Sequence, residues 1–321
     1  MHYKQQKTWL YAIALLGCSI FGAFPCQAEG TWSTKEFEIG QDDGVSYMPR
    51  IASTTNGDFL AVWKYYKNNI SSLYYSIYSS GKWGAPELLS AIGESIDYPE
   101  IVTDKNGFVY AAWKSKVNFN GPAFVVKTAV FKNGAWSSPT ILGSTGYYST
   151  LSLKSGEDSA VHAAWQINDY SPTDVGTTTY ANSTWSPLIR LNTPKETTRS
   201  PIFTSDAQGN KLAVWVYSDV FGSILKYAYY NKNTWSSEGV IAKGAGVLDR
   251  FISHDIVADK NGGFVVAWVR EDGINNKASI ESSIFNNGKW GEIIQLSNPR
   301  QYTYSIALQA DNGGGASILS T

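Results

Sequence analysis

Eleven of the twelve tryptophans fall on two interleaved ladders with a period of about 50 residues. One ladder is Trp63, Trp113, Trp165, Trp215 and Trp268, at intervals of 50, 52, 50 and 53 residues. The other is Trp32, Trp83, Trp136, Trp185, Trp235 and Trp290. Self-similarity at a fixed period marks a repeat architecture. The surroundings repeat as well: DKNGFVYAAW at 104–113 returns as DKNGGFVVAW at 259–268.

Each unit reads as four strands. In the first copy they are PRIAS (49–53), DFLAVWKYY (58–66), SLYYSIYS (72–79) and APELLS (85–90). TTNGD and SSGKW separate the first from the second and the third from the fourth. Asn-Gly and Gly-containing turns supply the positive φ that hairpins need. No stretch keeps apolar residues at helical spacing, so no helix is predicted. Aromatic residues make up 14% of the chain and charged residues 17%, a balance that suits pleated, half-buried surfaces.

A four-stranded antiparallel unit of this length, repeated about an axis, is a β-propeller blade. A lone twisted sheet cannot bury both faces; stacked sheets can, with the ladder tryptophans wedged between them. The expected blades are 48–90, 98–142, 148–191, 199–241 and 252–296, with a sixth beginning at 302–321. That sixth copy stops at Ser320, where a tryptophan is due. The segment 30–40 looks like an outermost strand, and closure is expected through it, leaving the last blade without its third strand. The fold class is thus an all-β propeller of six blades over 29–321, with an incomplete last blade closed by the N-terminal strand.

Residues 1–28 read as an export signal. Lys4 and Lys7 precede an apolar run from Trp9 to Phe24, and Cys26-Gln27-Ala28 offers a small-residue cleavage site. A second reading is a lipoprotein box at Leu15–Cys18, which would lipidate Cys18; the apolar residues after Cys18 favour cleavage after Ala28. Both cysteines lie in this segment, so the exported chain has no disulfide framework. Its loss takes the net charge from -1 to -3, which gives no case for nucleic acid or anionic lipid as partner. No later apolar run is long enough to span a membrane. A monomer is the default expectation.

The two repeated turn classes lie on one face of such a scaffold. The variable links lie on the other, where binding residues usually sit. Four of the six arginines are on the links between blades: Arg50, Arg199, Arg250 and Arg300. Tyr47, Tyr98, Tyr302, Glu100 and Asp255 accompany them. These links lead into the innermost strands, so the nine residues are the candidate ligand site, ringing a central funnel. Arginine grips carboxylates through a bidentate fork, and tyrosine offers a stacking face with a hydroxyl. That chemistry suits a polar ligand such as a sugar or an anionic glycan; solvated loop residues and local ion pairs are the plainer reading.

Over 30–321 the repeat resembles the Trp-rich propellers of exported bacterial proteins and, more distantly, sialidase-type (BNR) propellers. The third-to-fourth turn keeps the Gly and Trp of the sialidase aspartate box (KNGAW, 132–136; NNGKW, 286–290) but lacks its Ser and Asp. YMPRIA (47–52) sets Arg50 before Ile51, as in the first-blade sialidase motif, with the proline on the other side. The resemblance implies an arginine triad, a tyrosine nucleophile with an acidic partner, and an aspartate acid/base. Fucose-lectin propellers, by comparison, repeat a pocket between blades. Here the residues after the second-strand Trp (KYY, KSK, QIN, VYS, VRE) do not repeat, which favours one unique site.

Asp and Asn in DKNG and SDAQG suit Ca²⁺ by chemistry, but the EF-hand spacing is absent, and they read as hairpin turns. His162 and His254 stand apart in sequence with no cysteine nearby, so neither a metal nor a cofactor is expected. The leading reading is an exported binding or interaction module for a glycan or another exported protein. A sialidase-like hydrolase and a purely structural surface protein are the alternatives.

Overall fold

The structure is a computed structural model that describes residues 39–40, 43–116, 124–146, 149–167, 173–193, 196–232, 234–259, 262–299, 305–310 and 316–320. The export segment, Trp32 and all of the 30–40 strand except Ile39 and Gly40 lie outside them. The described residues contain strands and turns and no helix.

Each tryptophan repeat is one antiparallel sheet in meander order. Sheet one runs Val45–Ser53, Phe59–Lys67, Ile70–Ser79 and Lys82–Trp83, with Glu87–Leu88 added to its third strand. The second repeat supplies Ser95–Thr103, Val109–Lys116, Phe124–Lys132, Ala135–Trp136 and Thr140–Thr145. Sheet three runs Leu151–Ser155, Val161–Gln166, Val175–Ala181 and Thr184–Trp185, again with an added rung at Ile189–Arg190. Sheet four is Thr198–Ser205, Lys211–Asp219, Gly222–Tyr230 and Gly239–Lys243. Sheet five is Asp249–Ala258, Phe264–Asp272, Lys277–Asn286 and Lys289–Trp290, plus Ile294–Gln295. A sixth sheet has two described strands, Ile306–Ala310 and Ala316–Ser320.

The fourth strand differs from the expected continuous one. It breaks into a short rung carrying the tryptophan and a second rung a few residues on. Pro86, Pro139 and Pro187 fall in the break and have no N–H to give a ladder. Serine fills the gap. The hydroxyls of Ser137, Ser186 and Ser236 accept the third-strand N–H groups of Val130, Thr179 and Tyr229 at 3.1, 3.1 and 3.0 Å.

The two ladders have different jobs. Trp63, Trp113, Trp165, Trp215 and Trp268, in the second strands, are fully buried. Trp83, Trp136, Trp185, Trp235 and Trp290 are half-buried and each faces the aromatic ring opposite on its third strand. The pairs Tyr78–Trp83, Phe131–Trp136, Tyr180–Trp185, Tyr230–Trp235 and Phe285–Trp290 have ring centroids 5.0–5.5 Å apart. Tilted contacts at that range add to the burial itself.

The chain forms two compact units, residues 1–120 with 129–139, and residues 121–128 with 140–321. In the first, Trp113 packs among Leu60, Val62 and Leu73 of sheet one. In the second, Trp215 packs against Ala164 and Val175 of sheet three, and Trp268 against Val214, Val216 and Leu225 of sheet four. Trp113, Trp215 and Trp268 are thus each a wedge between their own sheet and the one before. Ala316–Ser320 is exposed along its whole length, unlike every other second strand. It lacks both the tryptophan and, among the described residues, a third strand to cover it.

The repeated DKNG and SDAQG turns also have a physical origin. The Asp104 carboxylate accepts the N–H groups of Asn106 and Phe108, both at 2.9 Å, and Asp206 accepts those of Gln208 and Asn210 at 2.9 and 2.8 Å. Gly107 and Gly209 follow with φ of 81° and 82°, a backbone that side chains rarely allow. The aspartates therefore bind their own turns.

Candidate functional site

The first strands of three repeats carry one device. Met48, Tyr98 and Ser200 have φ of 51°, 46° and 52°, and each precedes a proline, Pro49, Pro99 or Pro201. Left-handed backbone is uncommon for such residues, and a residue before proline normally stays extended. The register shifts at the same points, between Tyr47 and Arg50, Asp97 and Glu100, and Arg199 and Ile202. Bulges of this kind re-aim side chains at the edge of a sheet. They do so here for Tyr47, Arg50, Asp97, Glu100 and Arg199. Sheet five shifts between Phe251 and Ser253 without a proline.

In the first unit the aimed groups close on one another. Arg50 grips Glu100 through Nε–Oε2 at 3.2 Å and Nη2–Oε1 at 3.0 Å. Lys64 Nζ lies 3.0 Å from Asp97. Lys114, fully buried, sits 4.7 Å from the ring centroid of Tyr98. Tyr47 is exposed. Arg50, Tyr98 and Glu100 were expected at such a site; Lys64 and Lys114 were missed. Their sequence signal is the Trp-Lys pair at 63–64 and 113–114, which the other three repeats replace with Trp-Gln or Trp-Val.

In the second unit the arginines are not closed in the same way. Arg199 Nη2 meets the hydroxyls of Ser218 at 2.6 Å and Ser223 at 3.5 Å, and no carboxylate pairs with it among the described residues. Desolvation, and then the charge of Arg250, hold its pKa below the ordinary arginine value. Arg250 itself pairs with Glu271 at 2.9 Å. Asp255 is buried and holds the sheets together: it pairs with Lys154 at 2.7 Å and accepts the Leu308 N–H of the last sheet at 2.8 Å. Arg300 and Tyr302 lie outside the described residues.

The histidines, isolated in sequence, are not isolated in space. His162 Nε2 is 2.7 Å from Ser205 Oγ, and Ser205 donates in turn to Asp158. His162 Nδ1 is 3.1 Å from Thr179 Oγ1, which accepts from Lys211 Nζ at 3.1 Å. Since Ser205 gives its proton to Asp158, Nε2–H is the donor to Ser205 and Nδ1 accepts from Thr179. Serine, histidine and aspartate therefore meet in the wrong sense for a nucleophile, because the histidine donates where a base must accept. Ser205 and His162 are also fully buried. A Cβ on Gly156 would overlap Ser205 Oγ and come within 2.7 Å of His162 Nε2. Gly156→Ala is expected to cost about 1–3 kcal/mol by overpacking this network, measured as a shift of the urea midpoint.

No protein-family model and no curated protein matches the chain. Solved structures are similar to it. A Dyadobacter fermentans protein of unknown function aligns with TM-score 0.53 and 12% identity over 87% of this chain and 94% of that one. A Penicillium chrysogenum α-L-arabinanase complexed with arabinobiose gives 0.51 and 15% over 84% and 86%. A Hadza microbial sialidase gives 0.50 and 12% over 83% of this chain and 61% of that one. At these identities the likeness is one of fold. The chain is an all-β protein of propeller type, built from four-stranded antiparallel sheets.

Proposed function

We propose that this protein is an exported glycan-binding module that holds an acidic sugar at Arg199. The observation that carries the reading is the state of that one side chain. Arg199 is fixed by two serine hydroxyls and has no carboxylate to neutralise it among the described residues. A fixed, partly desolvated guanidinium is a ready partner for a carboxylate or sulfate. The fold likeness to a sialidase and to an arabinanase bound to a disaccharide supports saccharide as the ligand class. Export follows from reading residues 1–28 as a signal.

A glycan array probed with residues 29–321 tests this. Acidic glycans are expected to bind, and Arg199→Ala to weaken them by roughly 10- to 150-fold, the value of one or two hydrogen bonds to a charged group. Absence of acidic-glycan binding by folded protein overturns the reading. The second reading is sialidase-like hydrolysis, supported by the charge of Arg250 acting on Arg199 and by the fold likeness to a sialidase. Against it, Arg50 and Arg250 are each held by a glutamate. Turnover of a fluorogenic sialoside that is lost in Arg199→Ala would establish it instead.

A further inference from the structure

The second unit contains a cleft of about 800 Å³ on the variable face of sheet five, which none of the expected site residues lines. Its walls are the link Ala245–Asp249 and the second-to-third hairpin around Ile274 and Asn275. Its size is that of small-molecule sites, about 300–1,000 Å³. Arg270 forms the floor. Its Nε and Nη2 hold Asp249 at 2.9 and 2.6 Å, and its Nη1 lies 3.5 Å from Glu281. The Ala245 N–H fixes Asp249 from the other side at 2.8 Å.

Glu281 stands opposite Trp268 on the third strand of sheet five. In the ladder, Trp63, Trp113 and Trp215 leave Nε1 without a partner among the described residues, and Trp165 gives its proton to a backbone carbonyl. Trp268 alone donates to a carboxylate, Glu281 Oε2 at 2.8 Å, while the other oxygen of Glu281 faces Arg270. The position opposite the ladder tryptophan is Tyr74 in sheet one, Gly176 in sheet three and Lys226 in sheet four, whereas in sheet five it holds a buried acid oriented from two sides.

We infer that this cleft is a second ligand site, separate from Arg199, for an uncharged saccharide. The floor alternates acceptor, donor and acceptor: Asp249, Arg270, Glu281. Vicinal hydroxyls, each both donor and acceptor, match such an array. The lining carries Asp249, Asp272 and Glu281 against Arg270 and Lys277, a net charge of -1. With Arg270 already held by carboxylates, the cleft does not attract a uronate as Arg199 does. Above the floor, Val247, Leu248 and Ile274 are 58%, 49% and 80% exposed, an aliphatic rim for the C–H face of a sugar ring.

The test is isothermal titration of the full exported chain with uncharged tri- and tetrasaccharides, pentose- and hexose-built, beside an acidic oligosaccharide. At least one uncharged saccharide is expected to bind. Ile274→Glu, on a side chain too exposed to disturb folding, and Arg270→Lys should each weaken it about tenfold or more, and Arg199→Ala should leave it unchanged. Binding of no uncharged saccharide, or binding indifferent to Ile274→Glu, overturns the inference. Binding of acidic saccharide alone, lost in Arg199→Ala, also overturns it while leaving the Arg199 site standing. An uncharged ligand with no acidic one would do the reverse.

Discussion

Trp268→Ala is expected to destabilise the second unit by about 3–5 kcal/mol, a large part of the stability of an ordinary domain. The ring is fully buried among Val214, Val216, Leu225, Ile256 and Phe285, so the truncation leaves a cavity that two sheets line. Urea unfolding followed by fluorescence measures it. The ladder supplies its own control. Trp215→Phe removes an Nε1 that has no partner among the described residues, whereas Trp268→Phe takes the donor from Glu281. Trp268→Phe should therefore be worse by about 1–3 kcal/mol, the cost of a buried acceptor left unmatched. Equal losses for the two phenylalanine variants would show that the Trp268–Glu281 bond contributes nothing.

Acid should unfold this protein earlier than its carboxylates require. His254 has a buried Nε2 without a partner among the described residues, and burial pushes its pKa down from 6.5 to about 4, against the pull of Asp255 and of the Val214 and Ser200 backbone. His162 is shifted the same way by burial, which outweighs Asp158. A neutral buried histidine refuses a proton that the unfolded chain accepts. The unfolded state therefore binds more protons below pH 6.5, and stability falls from there until the folded pKa is reached near 4. For His254 alone the loss approaches about 3 kcal/mol. Asp158 acts in another window. Burial works against its charge, but His162 and Ser205 bring its pKa down from 3.8 to about 2, so its contribution is fully present above the ordinary carboxylate pKa and is lost as pH falls from there to about 2. Urea midpoints at several pH values between 7 and 4 should decline for the native chain. His254→Gln should flatten that decline, and an unchanged slope would assign the acid sensitivity elsewhere.

The cleft and the Arg199 site differ in how far the sequence reveals them. Arg199 stands in the first strand of sheet four beside its bulge, and its residue type and place in the repeat make it a candidate from sequence. Arg270 and Glu281 lie inside strands, where the repeat directs attention to packing. Neither stands out in the sequence: the residues after the second-strand tryptophan differ in all five repeats, and Glu281 lies on the third strand, outside that stretch. His162 and Ser205 stand 43 residues apart and meet only because sheets three and four pack face to face.

By itself the sequence determined the periodic part of this protein: antiparallel four-stranded repeats, buried second-strand tryptophans, and the hairpin turns between them. Those features depend on contacts within one repeat or between identical ones, so each copy restates the same evidence. The tertiary structure decided which charges neutralise each other. Arg50 with Glu100, Arg250 with Glu271 and Arg270 with Asp249 are set by bulges and strand register, to which a one-residue shift is decisive. Arg199 differs from the other described link arginines in its surroundings, which composition and spacing do not encode.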